Sequence, residues 1–333
     1  MTAIWKTRNR MIQFVFPEYA NNIGTLHGGR LMDWIMLIGS ITSSRLVKGI
    51  TVLGATDSID FINPVKVGEI VVLDSWVEYV GDSSLEVGVK VHSENPETGE
   101  RKLTTSSHLA FVAIARDGTP RLIPEKISPA DRTEEAIYLR ALRRREARFP
   151  RIAHRRKMAD YTSDETGTSG LKLETTRPVL PEDSFYGNFM SVGKLMKDID
   201  EVGAILASRF VRGVMVTGSV DDLYFYSPII VGDIITSKAA ITYVGGTSLE
   251  VGIKVISENL ETGQQKHTCT AFLTFVHIGK DGRPEAVPRF TPESPHQVRF
   301  WKEAEERKKR RVKRVRHIKK LSENPLMPEE NPF

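Results

Sequence analysis

Ser84-Leu85-Glu86-Val87-Gly88 returns residue for residue as Ser248-Leu249-Glu250-Val251-Gly252, an offset of 164. The same offset carries Pro17-Glu18 onto Pro181-Glu182, Gly29 onto Gly193, Leu31-Met32 onto Leu195-Met196, Asp57 onto Asp221 and Phe61 onto Phe225. It continues through Pro64 and Pro228, Gly68 and Gly232, and Glu97-Thr98-Gly99 and Glu261-Thr262-Gly263, to Pro124 and Pro288. No insertion or deletion breaks the register from 17 to 124, so the chain is an internal duplication. Within the quoted stretch Leu85, Val87, Val89 and Val91 alternate with Glu86 and Lys90, the pattern of a strand with one apolar face.

Working outward, Gly81-Asp82 and Gly245-Gly246 read as hairpin turns, and Asn95-Pro96 with Thr98-Gly99 as a further turn. Residues 51–62 are rich in β-branched side chains, 69–80 alternate loosely, and 104–115 close the set. Ahead of the strands each repeat has a loop (18–27; 182–191) and a helix of about five turns (29–47; 193–211). One long helix with antiparallel strands is an α+β plan. A second helix follows each sheet, over 129–148 and 293–318, and the first opens acidic and ends basic, as the helix dipole favours. The expected division is a first domain over 1–126, a basic helix over 127–159, a polar linker over 160–174, a second domain over 175–290, and a basic helix with a disordered tail over 291–333. The two repeats are expected to share one continuous sheet, with both long helices on one side.

At 333 residues, two domains are the expectation, and 40% hydrophobic with 27% charged content is ordinary for a globular protein. Cys269 is the sole cysteine, which excludes an intrachain disulfide and fits a reducing compartment. The N-terminus has an apolar stretch of about six residues and no small-residue cleavage site, so it does not read as a secretory signal. No run approaches the ~20 apolar residues that span a bilayer, and a cytoplasmic location is expected. The net charge of +5 is uneven: 140–157 carry +8 and 299–320 carry +9, which leaves −12 for the rest. The high pI belongs to two helical extensions, so a uniformly basic nucleic-acid-binding surface is a poor description, and no nucleic-acid partner is expected.

On the helix 193–211, Leu195, Ile199, Val202 and Leu206 form one apolar stripe. Asp200 lies beside it on an arc with Met196, Gly203, Ala204 and Ala207. A carboxylate flanked by small residues on a mostly apolar helix is a candidate site group, the alternative being a partly solvated helix acid. In the first repeat, Asn21-Asn22-Ile23-Gly24-Thr25-Leu26-His27-Gly28-Gly29 leads into a helix. Paired glycines there allow close backbone approach, and first-turn N–H groups can hold an oxyanion. The plainer reading is a tight loop-to-helix turn.

An Asn, then His-Gly-Gly, then a helix with an acid seven positions past the second glycine, then a Gly-x-Ser-Ser or Gly-x-Thr-Ser turn, resembles the hotdog-fold acyl-CoA thioesterases. The closing phrases Phe111-Val112-Ala113 with Asp117-Gly118-Thr119-Pro120, and Phe275-Val276-His277 with Asp281-Gly282-Arg283-Pro284, are similar to that family's last strand and turn. The tandem arrangement resembles the brain-type cytosolic acyl-CoA hydrolases. The resemblance implies two tandem hotdog domains, each a long central helix wrapped by antiparallel sheet, forming an intramolecular double hotdog. It implies sites that combine loop residues of one domain with the helix acid of the other. The acid position is Asp200 in the second repeat but Met36 in the first; the Asn position is Asn21 in the first but Phe185 in the second; the glycine pair Gly28-Gly29 faces Val192-Gly193. One composite site thus keeps Asn21, Gly28, Gly29 and Asp200, while the other, with Phe185, Val192 and Met36, should be dead.

The implied activity is hydrolysis of fatty acyl-CoA to fatty acid and CoA. Asp200 acts as general base or as nucleophile, Asn21 positions water or polarises the carbonyl, and Gly29, with Gly28, receives the oxyanion. His27 could donate near the carbonyl or merely pack and cap. Ser83, Ser84, Thr247 and Ser248 lie in turns that the resemblance places near the CoA nucleotide. Trp34, Met36 and Leu37 against Met196 and Ile199 suggest an acyl tunnel or ordinary core. No cofactor and no metal are expected, since the histidines lack zinc-site spacing. Asp33 and Asp198 read as acids favourable with the helix dipole. The alternatives are a hotdog hydratase, for which neither long helix supplies a histidine, and a non-catalytic acyl-CoA sensor or scaffold. A homo-oligomer is expected, a trimer of double hotdogs by the resemblance. Chain-length preference and regulation are not legible.

Overall fold

The computed structural model describes residues 1–157 and 172–323. The first repeat runs β1 (Asn9–Phe14), α1 (Gly28–Val47), β2 (Thr51–Thr56), β3 (Ile59–Asp60), β4 (Ile70–Val80), β5 (Ser84–Glu94), β6 (Arg101–Ala113) and α2 (Arg132–Lys157). The second runs β7 (Lys172–Pro178), β8 (Ser184–Tyr186), β9 (Phe189–Met190), α3 (Val192–Val211), β10 (Val214–Val220), β11 (Leu223–Tyr224), β12 (Ile234–Val244), β13 (Ser248–Glu258), β14 (Gln265–Ile278) and α4 (Pro295–Glu323). This is the α+β tandem hotdog plan. Residues 160–171 of the expected linker and 324–333 of the tail lie outside the described residues, and strand β7 begins at Lys172, inside the span expected to be linker.

In place of one continuous sheet there are two six-stranded sheets, in the orders β1-β4-β5-β6-β2-β11 and β3-β10-β14-β13-β12-β7. Each ends on a two-residue strand given by the other repeat: Leu223–Tyr224 pairs with β2, and Ile59–Asp60 with β10. The cause is a bulge at Gly54 in β2 and at Gly218 in β10, where the register with the neighbouring strand slips. Each bulged glycine turns its carbonyl to the incoming chain: Phe225 N–H donates to the Gly54 oxygen (2.9 Å) and Phe61 N–H to the Gly218 oxygen (3.0 Å). The repeats therefore exchange a two-residue strand at their centre.

Leu85, Val87, Val89 and Val91 are each at most 2% exposed and face the core with α1. Glu86 points to the opposite face, where Arg148 of α2 meets it at 2.6 Å. The outer face of the second sheet is covered the same way, Arg307 of α4 meeting Glu250 at 2.7 Å. The basic helices thus cap the acidic backs of the sheets. Strand β1 was not read from the sequence: its apolar positions are half exposed at a sheet edge, and Arg8 and Arg10 are held by the buried Asp74.

Helices α1 and α3 pack on each other through their N-terminal halves. A Cβ at Gly29 would stand 3.1 Å from the Lys197 Cα, and one at Gly193 3.1 Å from the Asp33 Cα. This crossing carries the start of α1 to the middle of α3.

Candidate active site

Asp200 sits at that crossing and is wholly buried. Its Oδ2 accepts the backbone N–H of Gly29 (2.8 Å) and lies 3.4 Å from His27 Nδ1. Its Oδ1 accepts the hydroxyl of Thr217 (2.6 Å) on β10. Burial pushes this carboxyl above the usual carboxylate range, while His27, the Thr217 hydroxyl and the Gly29 N–H pull it back. The glycines permit the approach: a Cβ at Gly28 would come within 2.7 Å of the Thr217 side chain, and one at Gly29 within 3.1 Å of the Asp200 carboxylate. Two residues of the first repeat, Gly29 and His27, and one of the second, Thr217, thus meet on the Asp200 carboxylate.

The expected site residues fare differently. Gly28, Gly29, His27 and Asp200 are brought together. The Gly29 N–H, expected to receive an oxyanion, is instead committed to Asp200. Gly28 N–H, one step earlier, has no intrahelical acceptor by the geometry of a helix start. Asn21 is engaged within its own loop: Oδ1 accepts from the N–H groups of Ile23 (3.1 Å) and Thr25 (3.2 Å), and Nδ2 donates to Thr25 Oγ1 (2.9 Å). No hydrogen bond joins it to Asp200 among the described residues. Ser83 and Thr247 stand in the hairpin turns and Ser84 and Ser248 open β5 and β13; they are tied through backbone carbonyls to Ala113, His277, Gly81 and Gly245, and no hydrogen bond joins them to Asp200 among the described residues. Trp34, Met36, Met196 and Ile199 are core, at most 6% exposed. Asp33 and Asp198 pair with Arg30 and Arg177 and stand outside the cluster.

Thr217 was missed. At the offset of 164 its partner is Leu53, 5% exposed. The signal was present: a polar residue against an apolar one, beside the matched glycines Gly54 and Gly218, is the same one-sided loss that singles out Asp200 against Met36. Among the described residues, no group of three or more His, Cys, Asp or Glu side chains could hold a metal ion, and no helix is long and apolar enough to cross a membrane.

Residues 23–100 and 187–264 each match the thioesterase superfamily. The chain is 38% identical over 151 residues to an uncharacterized acyl-CoA thioester hydrolase of Bacillus subtilis, covering 45% of this chain and 88% of that protein. This chain belongs to the thioesterase superfamily. As a tandem thioesterase it is also 27% identical over 311 residues to the cytosolic acyl coenzyme A thioester hydrolase of Mus musculus, covering 87% of this chain and 80% of the relative. In fold it is similar to an acyl-ACP thioesterase of Bacteroides thetaiotaomicron, with a TM-score of 0.50 at 13% identity over 81% of this chain and 98% of that one.

Proposed function

We propose that this chain hydrolyses acyl-CoA thioesters to the free acid and CoA at one composite site per chain. The observation that carries the reading is the buried Asp200 carboxylate, held by Gly29 N–H from the first repeat and by the Thr217 hydroxyl from the second. Asp200 takes a proton from water as the water oxygen attacks the thioester carbonyl. The Gly28 N–H at the start of α1 receives the oxyanion, and collapse expels the thiolate, which needs no strong acid. Direct attack by Asp200 would give a mixed anhydride, and label from heavy-oxygen water in the Asp200 side chain after a single turnover would establish that route with water attacking the aspartyl carbonyl. His27, 3.4 Å from Oδ2, orients the carboxylate. Ser83, Ser84, Thr247 and Ser248 are proposed to meet the CoA nucleotide. A trimer of double hotdogs and a cytosolic location complete the proposal, the second on the names of the relatives; light scattering tests the first.

The test is thiol release from acyl-CoAs of graded chain length, and absence of turnover on every chain overturns the reading. Two variants refine it. Asn21→Ala is expected to lower kcat about 10–100-fold, since a loop misplaced by about 1 Å costs that much, with KM little changed. An unchanged kcat would free Asn21 of any role. Thr217→Val removes a donor that favours the ionised carboxyl. The rising limb of kcat/KM against pH is expected to move to higher pH, and Thr217→Ser to restore it.

A further inference from the structure

The dead counterpart of the Asp200 site is not filled in. Its site positions are occupied by Met36, Leu53, Val192 and Phe185, yet around the last three lies a cavity of about 440 Å³. Its wall is built from the start of α3 (Ser191, Val192), the strand segment 50–54 and the loop 225–229. At the offset of 164 these correspond to the start of α1 with His27 and Gly28, to 214–218 with Thr217, and to 61–65. Leu53, Met190, Leu195 and Ile229 are 2–7% exposed and form its floor, and Phe185, 40% exposed, stands at the rim. The cavity opens to solvent past Phe185, and its volume matches an ordinary small-molecule site. Among the described residues, no Asp, Glu, Lys, Arg or His side chain lines it; the polar groups they supply are hydroxyls and backbone. A charged head group has no partner inside, whereas a hydrocarbon chain does.

We propose that this second cavity binds a fatty acyl chain without hydrolysing it, leaving the chain's polar end outside. The hydrolytic groups have been lost from it while the room for an acyl group has been kept. The choice of occupant rests on the acyl-thioester reading of the Asp200 site, whose symmetry mate this is.

Calorimetric titration of the full chain with the non-hydrolysable thioether S-tetradecyl-CoA, and separately with tetradecanoate, tests the proposal. Wild type is expected to bind a second equivalent of at least one probe, and Asp200→Asn to keep it. Ser40→Phe and Val112→Phe, which push bulk into the cavity from α1 and β6, are expected to weaken that equivalent at least about ten-fold while retaining thioester hydrolysis, which also reports that they fold. A second equivalent of the thioether alone assigns the pocket to intact acyl-CoA, of tetradecanoate alone to the released acid, and of both to the chain itself. A single equivalent indifferent to both variants overturns the proposal. Loss of the second equivalent in Asp200→Asn does so as well. Absence of hydrolysis in wild type with the second equivalent intact overturns the thioesterase reading and leaves the chain-binding pocket standing.

Discussion

Asp200→Asn is expected to hydrolyse acyl-CoA about 10²–10⁴-fold more slowly than wild type, the range for loss of a general base, and to be more stable at neutral pH. Both effects have one cause. Asp200 is wholly buried, and burial raises its pKa in the folded chain above the unfolded value. A carboxyl raised in this way contributes stability below its unfolded pKa, and that contribution is lost as pH rises through the folded pKa. At neutral pH the ionised form is the one the proposed general base needs and the one burial disfavours. Asparagine removes the charge while its oxygen still accepts the Gly29 N–H and its NH₂ donates to a rotated Thr217 hydroxyl. The melting temperature of the variant should therefore exceed that of wild type at pH 7–8, and the gap should close as the pH falls into the carboxylate range. Thermal melts across pH read this directly. A variant less stable than wild type at neutral pH would mean that the hydrogen bonds outweigh desolvation, and retained turnover would remove Asp200 from the chemistry.

Much of this was legible in the sequence because duplication supplies its own control. Each position of one repeat can be compared with its mate under a common fold, so Asp200 against Met36 and Asn21 against Phe185 stand out as one-sided polar positions. Thr217 against Leu53 obeyed the same rule but was hidden by its place in a β-branched strand, where threonine is ordinary. Asn21 was expected to position water or polarise the carbonyl; its bonds to the Ile23 and Thr25 N–H groups were not foreseen, because an amide that closes a turn and one that meets substrate look alike in sequence. The edge strands β1 and β7 escaped for another reason. They are held by backbone pairing and by arginines on Asp74, or by contacts such as Thr176 with Thr236, so no apolar alternation marks them. The exchanged strands β3 and β11 are two residues each, too short for any pattern. Their cause, the bulged glycines Gly54 and Gly218, becomes visible only when the carbonyls are seen to accept from the other repeat.

Arg307→Ala should be the most destabilising single change on the surface-helix system, costing about 3–5 kcal/mol, the range for breaking a buried ion pair from one side. Arg307 is 4% exposed and Glu250 1%. The guanidinium Nη2 donates to Glu250 Oε1 at 2.7 Å, Nε reaches both oxygens, and the group lies 3.8 Å over the Phe272 ring. Beside it Asp221 is buried, its carboxyl pushed up by desolvation and by the Glu250 charge and held down by Arg311, Arg314 and Arg307. Taking Arg307 away strips the buried Glu250 of its nearest cation and leaves Arg311, 3.9 Å from Glu250 and 3.4 Å from Asp221, to serve both carboxylates. The converse follows from the same physics: Arg307→Met combined with Glu250→Leu should recover most of the loss, since the ion pair roughly cancels its own desolvation. Lys309→Ala, which breaks an exposed pair with Glu306 two residues further along α4, should leave the denaturation midpoint unmoved. The consequence reaches the active site. Arg314 of the same helix clamps Asp60 at 2.9 Å and Asp221 at 3.2 Å, joining the exchanged strand of the first repeat to the residue that follows β10, the strand that carries Thr217. A helix loosened at Arg307 loosens that clamp, so the variant should lose hydrolysis at temperatures below its own unfolding midpoint, whereas the double variant should not. Unfolding and activity that coincide in Arg307→Ala would show that the basic helix supports the fold alone and not the registry between the repeats.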